Sequence, residues 1–250
     1  MEAVVRKPFQ GVINIVRFNW HFYVIASIII ALLVLLSNFI PQSVRSVIDI
    51  TVIVICSTTL ITLLVSYYVY DHSGLYRFKW LKDLQIDRDA TIVNINAGFD
   101  ETSAILMIHY PQAHLQVFDF YDNAKHTEIS IERARKAYAP YPNTKVISTS
   151  QIPLAAGSVD LIFNIFAIHE IRDRSERIGF LKKQYEVLSD NGRCVVVEHQ
   201  RDIANFIAYN VGFFHFYSPA EWMANFAHAG FSVDTMKKIT PFVTVYILKK

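Results

Sequence analysis

Two long, uncharged runs of apolar residues lie near the N-terminus of the chain. The first covers residues 22–40 and the second covers residues 52–70. A helix of about 19 residues rises by roughly 28 Å, which is close to the thickness of the hydrocarbon core of a bilayer. The pattern therefore predicts two transmembrane α-helices, at about 22–40 and 50–70, joined by a short turn over residues 41–46.

The flanking charges predict how this hairpin, residues 21–70, is oriented. Basic residues precede the first run and follow the second, whereas Arg45 is the only basic residue between the runs. Because positive flanks stay on the cytoplasmic side, we expect an integral membrane protein with both termini and the C-terminal part in the cytoplasm. For residues 1–20 two interpretations remain open: an amphipathic segment at the membrane interface or an unstructured tail.

The pattern changes after the second run. Leu75, Phe78, Leu81 and Leu84 recur at helical spacing, which predicts a short connector helix within residues 71–89. From residue 90 onward, β-rich runs alternate with helical patterns. The predicted strands are 90–95, 114–118, 145–147, 159–165, 193–198, 233–237 and 242–248. The predicted helices are 104–109, 127–138, 177–188 and 220–228.

This alternation predicts an α/β fold for residues 90–250. We expect a Rossmann-like, doubly wound and mostly parallel sheet with helices on both faces. The short turn at Thr240 and Pro241 indicates an antiparallel hairpin at one edge. In such sheets ligands bind beyond the carboxyl ends of the strands, so polar residues at those ends are the candidates for a functional site.

Composition locates the unusual part of the chain. Of its 250 residues, 52% are hydrophobic and 18% are charged, compared with about 25% charged in an average protein. Residues 1–70 contain six charged residues, and the remainder has equal numbers of acidic and basic ones. A net charge of +2 gives no basic field for nucleic acid. Cys56 and Cys194 lie far apart, and we predict no metal site.

Three segments carry a family resemblance. Residues 150–173 (SQIPLAAGSVDLIFNIFAIHEIRD), 188–198 (LSDNGRCVVVE) and 218–231 (SPAEWMANFAHAGF) resemble, in this order, class I S-adenosylmethionine-dependent methyltransferases. The most similar group is that of small-molecule enzymes, including those of quinone biosynthesis. The resemblance covers residues 90–250 and implies S-adenosylmethionine as the cofactor.

The resemblance also implies cofactor-binding positions. The family's first strand ends in an acidic residue followed by Gly-x-Gly-x-Gly, and the matching positions here are Asn94, Asn96, Gly98 and Asp100. Only the middle glycine is kept. Asn96 tolerates a left-handed conformation and is expected to preserve the turn. Asp100 is interpreted as a cap of the next helix or as a partner of the cofactor's ammonium group.

The later strand ends complete this set. Asp119 ends the second strand and is expected to accept the ribose hydroxyls, although a loop-capping role remains open. Ser148 and Thr149 replace the usual acidic residue that binds adenine. Asn164 ends the fourth strand, and it either faces the transferred methyl group or is structural.

Methyl transfer requires alignment and sometimes a base. His169 is the best-placed candidate, and a structural role remains open for it. Further candidates are Glu170, His199, His215 and Tyr217, with the pair Glu198-His199 comparable to His169. The aromatic segment 203–217 is expected to cover an apolar acceptor or to rest on the bilayer.

These expectations lead to two functional hypotheses. The first is a membrane-anchored methyltransferase that acts on an apolar, lipid-like or aromatic small molecule at the cytoplasmic membrane face. The alternative is a catalytically inactive methyltransferase-like domain that serves as a membrane-tethered scaffold, which the incomplete glycine motif favours. The expected partners are the lipid bilayer and the acceptor. The sequence does not indicate an oligomeric state.

Overall fold

The computed structural model describes residues 6–81, 84, 86–125 and 128–250. Parts of three predicted elements lie outside the described residues: 1–5 of the N-terminal segment, 82, 83 and 85 of the connector, and Thr127 of a helix. The chain begins with the helices α1 (Gln10–Phe18), α2 (Trp20–Ser37) and α3 (Gln42–Tyr67). A π-helical turn, Tyr68–His72, continues α3, and two 3-10 turns follow at Leu75–Arg77 and Lys79–Leu81.

Two helical stretches are long and apolar enough to cross a membrane. They are Trp20–Ser37 and Gln42–Arg77, the second including the turns that continue α3. In the most apolar 18-residue window of each stretch, 6% of the residues are buried in the first stretch and 0% in the second. The two helices agree with the predicted apolar runs. However, α3 begins at Gln42 rather than near residue 50, because residues 42–49 contain no helix breaker after Pro41.

The predicted connector helix within residues 71–89 is not formed in the described residues. Gly74 and Phe78 have positive φ angles of 79° and 48°, and a right-handed helix does not pass through that conformation. The 3-10 turns nevertheless bury Leu75, Phe78 and Leu81. The apolar spacing therefore identified the buried residues correctly, although the backbone between them is not helical throughout.

The remainder of the chain forms a seven-stranded sheet in the order β3-β2-β1-β4-β5-β7-β6. The strands are β1 (Thr91–Asn96), β2 (His114–Asp119), β3 (Lys145–Val146), β4 (Val159–Ile165), β5 (Leu188–His199), β6 (Ser232–Thr240) and β7 (Val243–Lys249). Strands β1 to β5 pair in parallel, and β7 is antiparallel to both β5 and β6. This confirms the predicted Rossmann-like fold with its antiparallel edge hairpin.

Helices and turns connect these strands. They are α4 (Ser103–His109), α5 (Ile129–Ala137), a 3-10 turn (Ile168–Glu170), α6 (Arg174–Val187), α7 (Ile203–Tyr209), a second 3-10 turn (Asn210–His215) and α8 (Pro219–Ala229). As predicted, Ser218 caps α8, and Gly230 ends it at a φ of 99°. Helix α6 begins earlier than predicted because Asp173 Oδ1 accepts the N–H of Glu176 at 2.7 Å, which is an N-cap contact.

Each face of the sheet has its own apolar core. On one face, Phe180 of α6 and Trp222 and Phe226 of α8 are fully buried. On the other face, Leu106 of α4 belongs to the same buried cluster as Val69, which lies in the π-helical turn after α3 and has 0% exposure. The end of the second apolar helix is therefore fixed to the sheet, at the edge where β1, β4 and β5 end.

Candidate active site

The loop after β1 is held in place by its own polar side chains. Asn94 Nδ2 donates to Thr102 Oγ1 at 2.9 Å and to Ser103 Oγ at 2.8 Å. Asp100 Oδ1 accepts the N–H groups of Thr102 and Ser103 at 2.8 and 2.9 Å, which stabilises the start of α4 as the sequence predicted. The side chain of Asn94 points into the start of α4, so its orientation differs from the predicted cofactor contact.

Asn96 and Gly98 form the turn that the cofactor motif requires. Asn96 Oδ1 accepts the N–H of Gly98 at 3.0 Å, and the φ of Gly98 is 96°, where glycine is favoured. Among the described residues, Asn96 Nδ2 and Asp100 Oδ2 are buried and find no hydrogen-bond partner, although both residues line a cavity of about 130 Å³. Because such groups are costly to bury unpaired, these atoms suit the carboxylate and the ammonium of an amino-acid ligand.

Asp119 lies at the carboxyl end of β2, and both oxygens of its carboxylate contact other protein groups. Oδ1 accepts the N–H of Tyr121 at 2.9 Å, and Oδ2 forms an ion pair with Arg135 of α5. The Arg135 guanidinium lies 4.7 Å from the centre of the Tyr121 ring, and a Cβ added to Gly98 would be 3.0 Å from Arg135 Cδ. Arg135 therefore spans the gap between Gly98 and Asp119, where a ribose is expected to bind.

Ser148 and Thr149 line a neighbouring cavity of about 390 Å³, together with Tyr121 and Glu176. The Thr149 hydroxyl donates to Glu176, and the Ser148 hydroxyl lies 2.8 Å from that of Ser150. The structure thus places both predicted adenine-binding residues beside the cavity that also borders Arg135. Their contact with adenine remains a prediction.

Asn164 is enclosed in the protein interior against α6, which favours the structural role that the sequence left open for it. Its side chain is fully buried, and its Nδ2 donates to Gln184 Oε1 of α6 at 2.7 Å. Gln184 Nε2 donates in return to Asn164 Oδ1 at 3.3 Å. Side chains alternate along β4, so Asn164 points at α6 while Ile165 lies beside the cavity described next. The structural interpretation of Asn164 agrees with this geometry.

A third cavity, of about 260 Å³, opens beyond the ends of β1, β4 and β5. It lies beside the loop after β1, and we call it the acceptor cavity. Aromatic side chains form much of its wall: Phe18, Tyr70, Tyr76, Phe99, Phe166 and Phe216. Polar groups enter it from one side, at His169, Glu170 and His215. Such a cavity suits a flat apolar molecule that has a polar substituent.

Helix α1 closes this cavity, which the sequence did not predict. The N–H groups of Gly11 and Val12 donate to the Asp71 carboxylate at 2.8 and 2.9 Å. Arg6 forms an ion pair with Glu101 at 2.8 Å, and Tyr138 donates to Asn14 Oδ1 at 2.9 Å. Burial raises the pKa of Glu101, and the charge of Arg6 opposes this rise. Of the two interpretations offered for residues 1–20, an unstructured tail does not agree with this helix.

His169 lies between two carboxylates at one side of the cavity. Its Nδ1 is 2.6 Å from Glu198 Oε2, and its Nε2 is 3.1 Å from Glu170 Oε1. Burial disfavours the charged ring, but these carboxylates outweigh burial, and the pKa of His169 lies well above its usual range. Both ring nitrogens thus already have carboxylate partners, and the role of His169 as a base remains a prediction.

His199 is the other histidine at a strand end. Its Nδ1 is 3.0 Å from the carbonyl oxygen of Phe242, which requires a proton on that nitrogen. Its Nε2 therefore accepts a hydrogen bond from the Tyr70 hydroxyl at 2.8 Å. Burial lowers the pKa of His199 to about 4. The ring is neutral near pH 7, and it links the end of α3 to β5.

Sequence reasoning missed three parts of this site: Arg135, helix α1, and Glu128, which also lines the acceptor cavity. Arg135 and Glu128 lie on or next to α5, where charged residues are ordinary surface residues. For α1 the available signal was the mixture of apolar and basic residues in 1–20, which allowed an amphipathic segment. That signal is compatible with a helix but does not indicate the surface against which it packs.

Comparisons with known proteins agree with the fold. No family model matches the sequence, and neither does any curated protein. Among solved structures, a SAM-dependent methyltransferase from Aquifex aeolicus is similar with a TM-score of 0.50 and 18% identity, over 76% of this chain and 97% of that chain. An O-methyltransferase family 2 protein from Planctomyces limnophilus, in complex with apigenin, has a TM-score of 0.52 and 14% identity, over 78% and 62% of the two chains.

A third similar structure is geranyl diphosphate C-methyltransferase from Streptomyces coelicolor, in complex with Mg²⁺, geranyl diphosphate and S-adenosyl-L-homocysteine. Its TM-score is 0.50 at 13% identity, over 71% of this chain and 78% of that chain. At these identities the likeness establishes a fold shared with methyltransferases. The chemistry of this chain has to be argued from its own residues.

Proposed function

We propose that the protein is a membrane-anchored, S-adenosylmethionine-dependent methyltransferase that acts on an apolar, lipid-like or aromatic small molecule at the cytoplasmic membrane face. The observation that carries this proposal is the convergence of Asn96, Gly98 and Asp119 at the carboxyl ends of the adjacent strands β1 and β2. Ligands of doubly wound sheets bind at this edge. The fold shared with solved methyltransferases supports the same assignment.

The residues at this edge fit the cofactor group by group. The unpaired Asn96 Nδ2 suits its carboxylate, and the unpaired Asp100 Oδ2 suits its ammonium. Asp119 suits the ribose hydroxyls once Arg135 moves aside, and Ser148 and Thr149 border the space left for adenine. When bound, S-adenosylmethionine supplies a methyl group on a sulfonium. The chain's main task is then to align the acceptor with that methyl group.

The acceptor cavity supports an apolar acceptor. Its aromatic wall lies beside the cofactor loop, since Asn96, Ala97 and Phe99 line it as well. Tyr70, at the end of the second apolar helix, is part of the same wall. An acceptor dissolved in the bilayer would therefore reach the cavity from the membrane side without crossing bulk water.

The exposure of the apolar helices supports membrane anchoring. Their most apolar windows are at most 6% buried, whereas the core helix of a soluble protein hides its apolar side chains. The aromatic segment 203–217 supports the same proposal. Ile203 and Val211 are 79% and 80% exposed, and α7 contacts α3 where Thr62 Oγ1 donates to the Ala208 carbonyl at 2.7 Å. His215 and Phe216 of this segment line the acceptor cavity, which is compatible with both roles left open for it.

Calorimetric titration of the full-length protein in detergent with S-adenosylmethionine tests this proposal. We expect saturable binding with one site per chain. Incubation with cofactor that carries a radioactive methyl group should then label a component of a membrane lipid extract. Absence of binding at millimolar cofactor would contradict the enzyme hypothesis.

A scaffold without catalysis is the second candidate, and the position of Arg135 favours it. This side chain fills the expected ribose site and pairs with Asp119. Under the scaffold hypothesis, Arg135→Ala binds no S-adenosylmethionine either. Binding by Arg135→Ala where the unaltered protein shows none would instead indicate a gated cofactor site.

A further inference from the structure

We propose that His169, Glu170 and His215 form a site for a divalent transition-metal ion in the acceptor cavity. The relevant atoms already converge: His169 Nε2 and His215 Nε2 lie 3.1 and 3.4 Å from the same oxygen, Glu170 Oε1. All three ligand atoms lie within 4.8 Å of one another. In a tetrahedral Zn²⁺ site with bonds of about 2.0–2.1 Å, neighbouring ligand atoms are about 3.3 Å apart.

The outer nitrogens of both imidazoles are oriented as metal-binding histidines require. Glu198 Oε2 lies 2.6 Å from His169 Nδ1, and Glu128 Oε2 lies 3.3 Å from His215 Nδ1. A carboxylate on the far nitrogen fixes the tautomer and leaves Nε2 free to bind a metal. Two histidines arranged in this way around one carboxylate match the ligand set of catalytic zinc sites that have two histidines and one glutamate.

Charge at the cluster supports the same assignment. Glu170 and Glu198 have side chains that are 6% and 1% exposed, and Glu128 is the third carboxylate. In the described part of the chain, the ion pairs of these three carboxylates are made with His169 and His215 and with no lysine or arginine. Buried carboxylates require positive charge nearby. A divalent cation would supply it once both imidazoles bind as neutral ligands.

The side chain of Arg172 holds the two ligand-bearing segments together through their backbone carbonyls. Arg172 Nη1 donates to the His169 carbonyl at 3.2 Å and to the His215 carbonyl at 2.7 Å. One side chain thus joins two turns that are far apart in the sequence. A metal site needs this kind of positioning, because its ligands must converge before the ion binds.

The cavity around this cluster indicates the class of molecule that the ion would hold. Three protein ligands leave at least one open position on a tetrahedral ion, and aromatic rings surround the cavity. A hydroxylated aromatic molecule would bind there, with one of its oxygens on the metal. This second step rests on the proposed function, whereas metal binding itself does not.

Metal binding is tested on the full-length protein, purified in detergent without a histidine tag and stripped of metal. Titration with Zn²⁺ alone should show one tight site per chain, and Co²⁺ should give the visible absorption of a tetrahedral ion. His215→Asn and Glu170→Gln should weaken Zn²⁺ binding by at least 100-fold. Glu128→Gln, which removes an outer carboxylate, should weaken it by about 10–100-fold.

His114→Asn is the matched control, because this exposed histidine lies at the opposite end of β2. It should leave Zn²⁺ affinity unchanged. Absence of a stoichiometric site, or equal affinity in His215→Asn and the unaltered protein, would overturn the proposal. S-adenosylmethionine titrations on the same samples separate this result from the proposed function, since the cofactor loop does not contain the metal ligands.

The acceptor step is tested with catechol as the probe. Catechol should bind to the Zn²⁺-loaded protein at least 10-fold more tightly than to the metal-free protein and to metal-treated His215→Asn. Equal binding with and without Zn²⁺ would overturn the assignment of the acceptor class.

Discussion

Single polar residues at the strand ends decide how far the site follows the methyltransferase pattern. Asn96 and Gly98 keep the required turn although two motif glycines are absent, because the Asn96 carboxamide makes the hydrogen bond that shapes it. Asp119 keeps its carboxylate at the end of β2, but this carboxylate already forms an ion pair with Arg135. Asn94 and Asn164 lie on the right strands, but their side chains point into helix contacts. Their positions were predictable from the strand pattern, whereas their orientations were not.

At Asp119 we expect Asp119→Ala to weaken S-adenosylmethionine binding by about 1–3 kcal/mol, because the ribose hydroxyls lose their acceptor. Calorimetric titration measures the change. Asp190→Asn is the control, since the Asp190 side chain is 99% exposed. An unchanged affinity would return Asp119 to the role of a loop cap.

At Asn164 we expect a substitution to lower stability and to leave cofactor binding unchanged. Asn164→Ala leaves Gln184 buried without its partner, which should lower the free energy of unfolding by about 1–3 kcal/mol. Thermal unfolding should show the loss, while the Kd for S-adenosylmethionine stays the same. Asn191→Ala, at an exposed position, should affect neither quantity. A weaker cofactor affinity without a loss of stability would place Asn164 in the site after all.

At the scale of whole elements, α1 is the main surprise. The nine residues of α1 precede the first apolar helix and fold back over the acceptor cavity. Asp71 binds the N-terminus of α1, and Glu101 pairs with Arg6 just before it. A carboxylate at a helix N-terminus satisfies unpaired N–H groups and interacts favourably with the helix dipole. The acidic partners come from residues 71 and 101, so no local pattern in residues 1–20 shows the docking.

We therefore expect Asp71→Asn to loosen α1. The lost capping charge should cost about 0.5–2 kcal/mol, which should accelerate hydrogen exchange of the amides in residues 10–18 by about 2- to 30-fold. Asp49→Asn, on the exposed surface of α3, is the control and should leave that exchange unchanged. Equal exchange in both variants would mean that Asp71 does not hold α1.

At the scale of the whole molecule, the apolar hairpin and the α/β domain meet at the acceptor cavity. Val69 is buried against the sheet, and Tyr70 lines the cavity while binding His199. The segment that attaches the chain to its proposed membrane therefore also builds the site. This arrangement is consistent with an acceptor that arrives from the bilayer.

The proposed orientation can be tested by cysteine labelling in intact cells. An impermeant maleimide should label Arg45→Cys in intact cells, because Arg45 lies near the connection between the two apolar helices. It should label Lys250→Cys only after permeabilisation. Cys194 is buried and Cys56 lies in the second apolar helix, so the parent protein provides a low background. Labelling of Lys250→Cys in intact cells would place the C-terminus outside the cell and would contradict the proposed orientation.

The sequence by itself determined the two long apolar helices and the alternating strands and helices of the α/β fold. Uncharged runs predict long helices and alternating strands predict a parallel sheet, since both signals depend on the local period of apolar residues. Only the tertiary structure decided which side chains meet. Arg135 reaches Asp119, α1 covers the acceptor cavity, and His169 and His215 converge on Glu170, although 45 residues separate Glu170 from His215. These contacts join segments distant along the chain, and a local period contains no information about them.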